Sequence, residues 1–167
     1  MKNFLLLFCF LSITTFAQNT ESPYQKDVES IDAIITAYYD VISGAKEDSY
    51  QFERDEFLHV PDVQITRINE DGNVDKHPLE AEYIPFALTG KVDMYENELG
   101  RTVETYGNMA QVWSAFEIRT EKDTPSDFKG VNSIQLIYSE NRWWIASWTC
   151  QMESAKFPIP KHLLKID

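Results

Sequence analysis

A tyrosine on the apolar stripe of a helix is the first residue here placed to do chemistry. Ile31, Ile34, Ile35, Tyr38 and Ile42 recur at helical spacing within residues 27–44, so Tyr38 shares a buried stripe with isoleucines. A phenol there must find a hydrogen-bond partner, either a ligand or a backbone carbonyl. A second pair comes from strand register. Gly107-Asn108 signals a two-residue hairpin, and a turn there sets Arg101 opposite Ser114 on the core face. A buried arginine needs an anion or an acceptor, unless it reaches water at the open end of the fold. A third group follows from a tight turn at Glu140-Asn141, which places Asn132, Ser147 and Thr149 on one face with Ile134, Leu136, Trp143 and Ile145. An apolar face that turns polar marks the start of a cavity, because an unpaired buried polar group costs about 1–3 kcal/mol. Tyr38, Arg101, Ser114, Asn132, Ser147 and Thr149 are therefore the expected ligand-binding pocket, of mixed apolar and polar composition.

Other reactive residues are less well placed. Glu96, Glu98 and Glu104 share one face of a strand, and paired carboxylates can do acid–base work. The same hairpin register puts them on the reverse face of the sheet, where solvation is expected. His59, His77 and His162 have no partner at metal-ligand spacing, so no metal is expected. No phosphate loop or nucleophile elbow is visible, and no cofactor is expected.

The elements that must position these residues run from helices to strands. Residues 27–44 form the first helix, with Gly44 as its C-terminal cap, and residues 47–58 form a shorter one stopped by Pro61. A strand at 63–68 closes on Asp71-Gly72. Residues 79–88 read as a turn or two of irregular helix, which Pro78 can open and Pro85 should break or end. Two long hairpins follow, 93–120 and 130–153, then an extended FPIP segment and a final helical turn at 161–166. Helices first and a meander of long strands last describe an α+β domain, with the helices packed on one face of a curved, mainly antiparallel sheet.

Composition bounds the partners. The formal net charge is −12, which argues against nucleic acid and against anionic lipid surfaces. Lys2, the apolar run 4–16 and Ala17 form an export signal with cleavage expected before Gln18. Residues 18–26 then make a flexible leader and 27–167 one domain, exported to the periplasm or the exterior and free of the membrane once the signal is removed. Only Cys150 remains after the cut, so no internal disulfide is expected. Trp113, Val131, Ile137, Trp144 and Trp148 fall on the reverse faces of the two hairpins. An apolar reverse face of that size predicts a homodimer formed through the sheet.

The segments YGNMAQVWSAFEIR (106–119) and GVNSIQLIYSENRWWIASW (130–148), with one amphipathic helix, a small helical insert and four long strands, resemble the nuclear-transport-factor-2-like (SnoaL-like) superfamily. The ending ESAKFPIPKHLL is similar to a bacterial exported branch of it. The resemblance implies a cone-shaped α+β barrel, and family members commonly dimerise through the sheet. Ketosteroid-isomerase-like members use a tyrosine on the first helix and two acids lining the cone. On that pattern Tyr38 stands near the tyrosine and Asn132 near one acid. The base position, near residues 66–68, holds Arg67 and no carboxylate. The function expected is an exported small-molecule-binding domain with no assignable reaction. The alternatives are an isomerase or dehydratase of a small apolar carbonyl compound, and a structural or interaction module.

Overall fold

The computed structural model describes residues 22–164. The expected signal segment and its cleavage point lie outside the described residues, as does the very end of the chain. A single 3-10 turn at Gln25–Val28 leads into helix α1, Ile31–Ile42. The helix starts later than its periodicity suggests because Ser30 caps it, its hydroxyl accepting the Ala33 N–H at 3.0 Å. Helix α2, Phe52–Leu58, is shorter than expected and is followed by β1, Gln64–Ile68. The Asp71-Gly72 turn does not end the sheet there; it opens a hairpin to a further strand, β2, Val74–Pro78. Helix α3, Glu80–Thr89, carries Pro85 inside it. The two long hairpins are β3, Tyr95–Tyr106, with β4, Met109–Arg119, and β5, Phe128–Ser139, with β6, Arg142–Met152. Among the described residues no helix is long and apolar enough to cross a membrane.

One six-stranded sheet results, in the order β2-β1-β6-β5-β4-β3. All neighbours are antiparallel except β1 and β6, which pair in parallel. Both expected turns form. Glu140 and Asn141 adopt φ of 55° and 61°, and Gly107 adopts 57°, the positive values that two-residue hairpins require. The buried stripe of α1, including Ile34, Ile35, Tyr38 and Val41, packs on Val112, Phe116, Ile134, Leu136, Ile145 and Trp148 of the concave face. Gly130 lets Phe116 cross its strand: a Cβ there would stand 2.6 Å from the Phe116 ring and 2.8 Å from the Gln151 carbonyl.

Two bulges reset the faces. In β6 the pairing passes from Leu136–Ile145 to Gln135–Ser147, leaving Ala146 as the extra residue. In β3 it passes from Glu98–Phe116 to Gly100–Ala115, leaving Leu99 as the extra residue. One added residue turns every side chain beyond it to the opposite face. Trp148 and Cys150 therefore turn inward, and Ser147 and Thr149 turn outward. Glu98 and Glu96 turn inward as well. Leu99 goes outward and packs with Ala115, Val131, Ile159 and Leu163, where the C-terminal segment covers one end of the convex face.

Candidate functional site

The concave face and the helices enclose a cavity of about 620 Å³. Its wall is mainly aromatic and aliphatic, from Tyr38 on α1, Tyr83 on α3, Phe116 on β4 and Trp148 on β6. Its polar groups come from β1, β2, β3, β5 and β6, with Arg67, His77, Glu96, Asn132 and Cys150, and from the helices, with Asp55 and Glu82. The inward row Ser114–Asn132–Cys150 crosses β4, β5 and β6, and β1 adds Arg67 beside Cys150.

A chain of hydrogen bonds lies behind that row. Ser114 Oγ donates to Glu98 Oε1 at 2.6 Å, so its single proton is spent. The Tyr39 hydroxyl, 2.7 Å from Ser114 Oγ, must then be the donor to it. Asn132 Nδ2 donates to the Tyr39 oxygen at 3.3 Å and to the Tyr38 oxygen at 3.4 Å. The Tyr38 proton is left without an acceptor among the described residues, on a side chain that lines the cavity. Burial, followed by the nearby Glu96 carboxyl, holds the Tyr38 phenol well above its ordinary pKa, so it stays a donor. Asn132 Oδ1 and Trp148 Nε1 are likewise buried without a partner.

Tyr38 and Asn132 therefore meet on the cavity as the sequence suggests. Ser114 and Arg101 stand one layer behind it. Ser114 is fully buried between Tyr39 and Glu98, and Arg101 is held by Glu98 at 2.9 Å and Asp32 at 3.5 Å. Ser147 and Thr149 are corrected: the bulge at Ala146 puts both on the convex face, opposite Gln135 and Ser133. The solvated reading of Glu96 and Glu98 is corrected for the same kind of reason. Glu96 is only 8% exposed, and desolvation by burial pushes its carboxyl up to about 8, partly offset by the charge of Arg67. Trp148 is also removed from the convex face, being buried in the core.

Three further residues escaped the sequence reading. Tyr39 follows Tyr38 and lies off the periodic stripe. Asp55 is buried at the cavity wall and accepts a hydrogen bond from the Tyr83 hydroxyl at 2.7 Å; burial raises its pKa, with His59 opposing. Glu82 on α3 joins Arg67 on β1 and His77 on β2 at the cavity mouth. Gly100, inside a strand, was the available signal for the β3 bulge. Cys150 is held by burial at about 12 and is not a thiolate. Among the described residues no three His, Cys, Asp or Glu side chains are grouped to hold a metal ion.

Neither a family model nor a curated protein matches the sequence. Solved structures do match. One is a protein of unknown function from Mycobacterium tuberculosis, 18% identical, covering 77% of this chain and 73% of its own, with TM-score 0.57. A second, from Streptomyces avermitilis, is described as a candidate dehydratase of the NTF2-like family; it is 16% identical over 77% of this chain and 97% of its own, with TM-score 0.56. A third is a nuclear-transport-factor-2-like protein of unknown function from Silicibacter pomeroyi, 12% identical over 73% and 92%, with TM-score 0.51. The chain has the nuclear-transport-factor-2-like fold. At these identities the likeness concerns the fold alone, and the NTF2-like cone is recognisable in the helices laid across its curved, mostly antiparallel sheet.

Proposed function

We propose that this NTF2-like chain binds a small, largely apolar molecule in its cone, with Tyr38 as a hydrogen-bond donor to it. The observation that carries this reading is the cavity of about 620 Å³, a volume suited to a small ligand. The unspent Tyr38 proton and the orphaned Asn132 Oδ1 at its wall support it. A panel of small amphipathic molecules, followed by melting temperature, tests it. A ligand at a hundredfold excess over its dissociation constant stabilises the fold by about 2.7 kcal/mol. Tyr38→Phe and Asn132→Leu should both reduce that response while leaving a cooperative melt. A response unchanged in both variants would remove the pocket from the explanation.

A second reading is favoured by Glu96: an isomerase or dehydratase of a small apolar carbonyl compound. A carboxyl with a pKa near 8, close enough to raise that of Tyr38, has the properties of an acid–base group. The description of the Streptomyces structure as a candidate dehydratase agrees with this class. Hydrogen exchange next to the carbonyl of a small cyclic enone in heavy water, read by NMR, distinguishes it from simple binding. Exchange above the buffer rate that Glu96→Gln abolishes supports catalysis; exchange no faster than buffer removes it.

Export of the chain, and its assembly as a dimer through the convex face, belong to the same proposal. They rest on the apolar N-terminal segment and on Trp113, Met109, Ile137 and Trp144, all on that face.

A further inference from the structure

Among the described residues, Arg67 and His77 on the cavity wall are paired with acids, while the Glu96 carboxyl is left alone. Arg67 is joined to Glu82, and His77 to both Glu82 and Asp75. Lys91 Nζ donates to the Asp48 carbonyl at 3.4 Å and lies 6.0 Å from the centre of the Tyr50 ring. Glu96 is different. Its backbone N–H donates to Ser43 Oγ, but among the described residues its carboxyl makes no hydrogen bond and no ion pair. Arg67 acts on it only through its field. A buried carboxylate with no counter-charge is among the more costly groups a fold can hold. Tyr38 and Phe116 line the same cavity, with Trp148 beside Tyr38 at 5.8 Å between ring centres. Aromatic faces attract cations and do nothing for anions.

We propose that the molecule held in this cavity is a cation: a protonated amine on a small apolar or aromatic body, its ammonium set against the Glu96 carboxylate. The inference rests on the pocket reading above and adds the sign of the ligand's charge. A ligand carboxylate or phosphate would find Arg67 and His77 already joined to Glu82 and would face Glu96 directly, and Lys91, which makes no ion pair among the described residues, donates to the Asp48 carbonyl. An ammonium completes the unpaired Glu96 charge, in a cavity whose wall also offers the rings of Tyr38, Phe116 and Trp148. Binding at neutral pH then releases one proton from Glu96. The groups facing Glu96 are Tyr38 and Tyr39 from α1, Arg67 from β1, Glu82 from α3 and Cys150 from β6. The phenols and the thiol are held protonated by burial, so Glu96 is the group set to change state as the amine binds.

The test is calorimetry on the full chain with three probes that share one ring: benzylamine, benzyl alcohol and benzoate. About 0.15 M salt screens the acidic exterior. Benzylamine should bind at one site, and about fiftyfold more weakly at pH 6 than at pH 8, because only the ionised fraction of Glu96 is competent. An alkylammonium has a pKa of about 10, so the probe itself keeps its charge over that range. Glu96→Gln should abolish benzylamine binding and spare benzyl alcohol. Should that variant fail to fold, the pH profile of the unaltered protein decides. Benzyl alcohol or benzoate binding in preference to benzylamine overturns the proposal and leaves the pocket reading standing. Benzylamine binding that ignores both pH and Glu96→Gln also overturns it, because the amine then sits on the acidic exterior. Failure of all three probes overturns the proposal and counts against the pocket as well.

Discussion

Glu96 is the residue whose protonation the fold controls most directly. An unfolded glutamate titrates at about 4.3, whereas the folded one is pushed up to about 8 by burial. Between those values the native chain keeps a proton that the unfolded chain has released. Stability must therefore fall as pH rises through this window, and level off above it. Each pH unit is worth about 1.4 kcal/mol, so the total is a few kcal/mol. Glu96→Gln removes that dependence. Urea titrations at pH 5.5 and pH 8.5 should show the variant gaining on the unaltered protein by roughly 2–4 kcal/mol at the higher pH. A gap that stays constant between the two would mean that Glu96 is ionised in the native state throughout. Tyr38 and Asn132 matter in a different way. Their orientation is set from behind by Tyr39, Ser114 and Glu98, with Arg101 closing the chain of contacts on the side of Asp32.

Helix α3 is the element that covers the cavity, and it is attached by few groups. Glu82 reaches Arg67 and His77, and Tyr83 donates to the buried Asp55 while its ring packs on Phe52 at 4.8 Å between centres. Leu88 on the same helix is 80% exposed, so little apolar burial supports it. Pro85 also removes one backbone donor from the helix interior. Tyr83→Phe would leave Asp55 Oδ2 without its donor, on a carboxyl whose Oδ1 makes no hydrogen bond and lies 3.3 Å from His59 Nδ1, at a cost of about 1–3 kcal/mol. The expected outcome is faster amide exchange across α3, while exchange in β4 and β5 slows or quickens only with global stability. Uniform acceleration across the chain would show that α3 does not open as a unit.

At the scale of the whole molecule, the proposed dimer depends on the convex face. Its row Met109–Ile137–Trp144 is apolar, and the next, Gln111–Gln135–Ser147, is polar, with Gln111 Nε2 donating to Ser133 Oγ at 3.0 Å. Trp113 stands beside them, 46% exposed. The far end is already covered by Ile159 and Leu163, so Val131 is not available to a partner. A dimer must therefore use the end bearing Met109, Trp113 and Trp144. Light scattering of exported protein should give twice the monomer mass, and Trp113→Glu should return it to the monomer. Intact mass of the same sample should begin at Gln18. A monomer before mutation, or a mass that includes residues 1–17, counts against assembly and export respectively.

The helical stripe around Tyr38, both two-residue turns and the order of helices before strands were legible in the sequence, because each depends on residues a few positions apart. So was the class of fold, since amphipathic helices and alternating strands leave few ways to bury both. The pairing near each turn was legible for the same reason: Val103 does face Val112, and Tyr138 does face Trp143. Farther from the turns, the single extra residues Ala146 and Leu99 decide the face, and a bulge depends on how a curved sheet packs over its helices and its C-terminal segment. Local pattern does not contain that requirement. Hence Ser147 and Thr149 left the cavity, and Glu96 entered it. The strand β2 and the junction of Glu82 with Arg67 and His77 likewise needed distant segments to meet. What the tertiary structure alone decided is the chemistry of the cavity: a carboxyl becomes a group that titrates near neutrality only when the fold takes it out of water and leaves it without a partner.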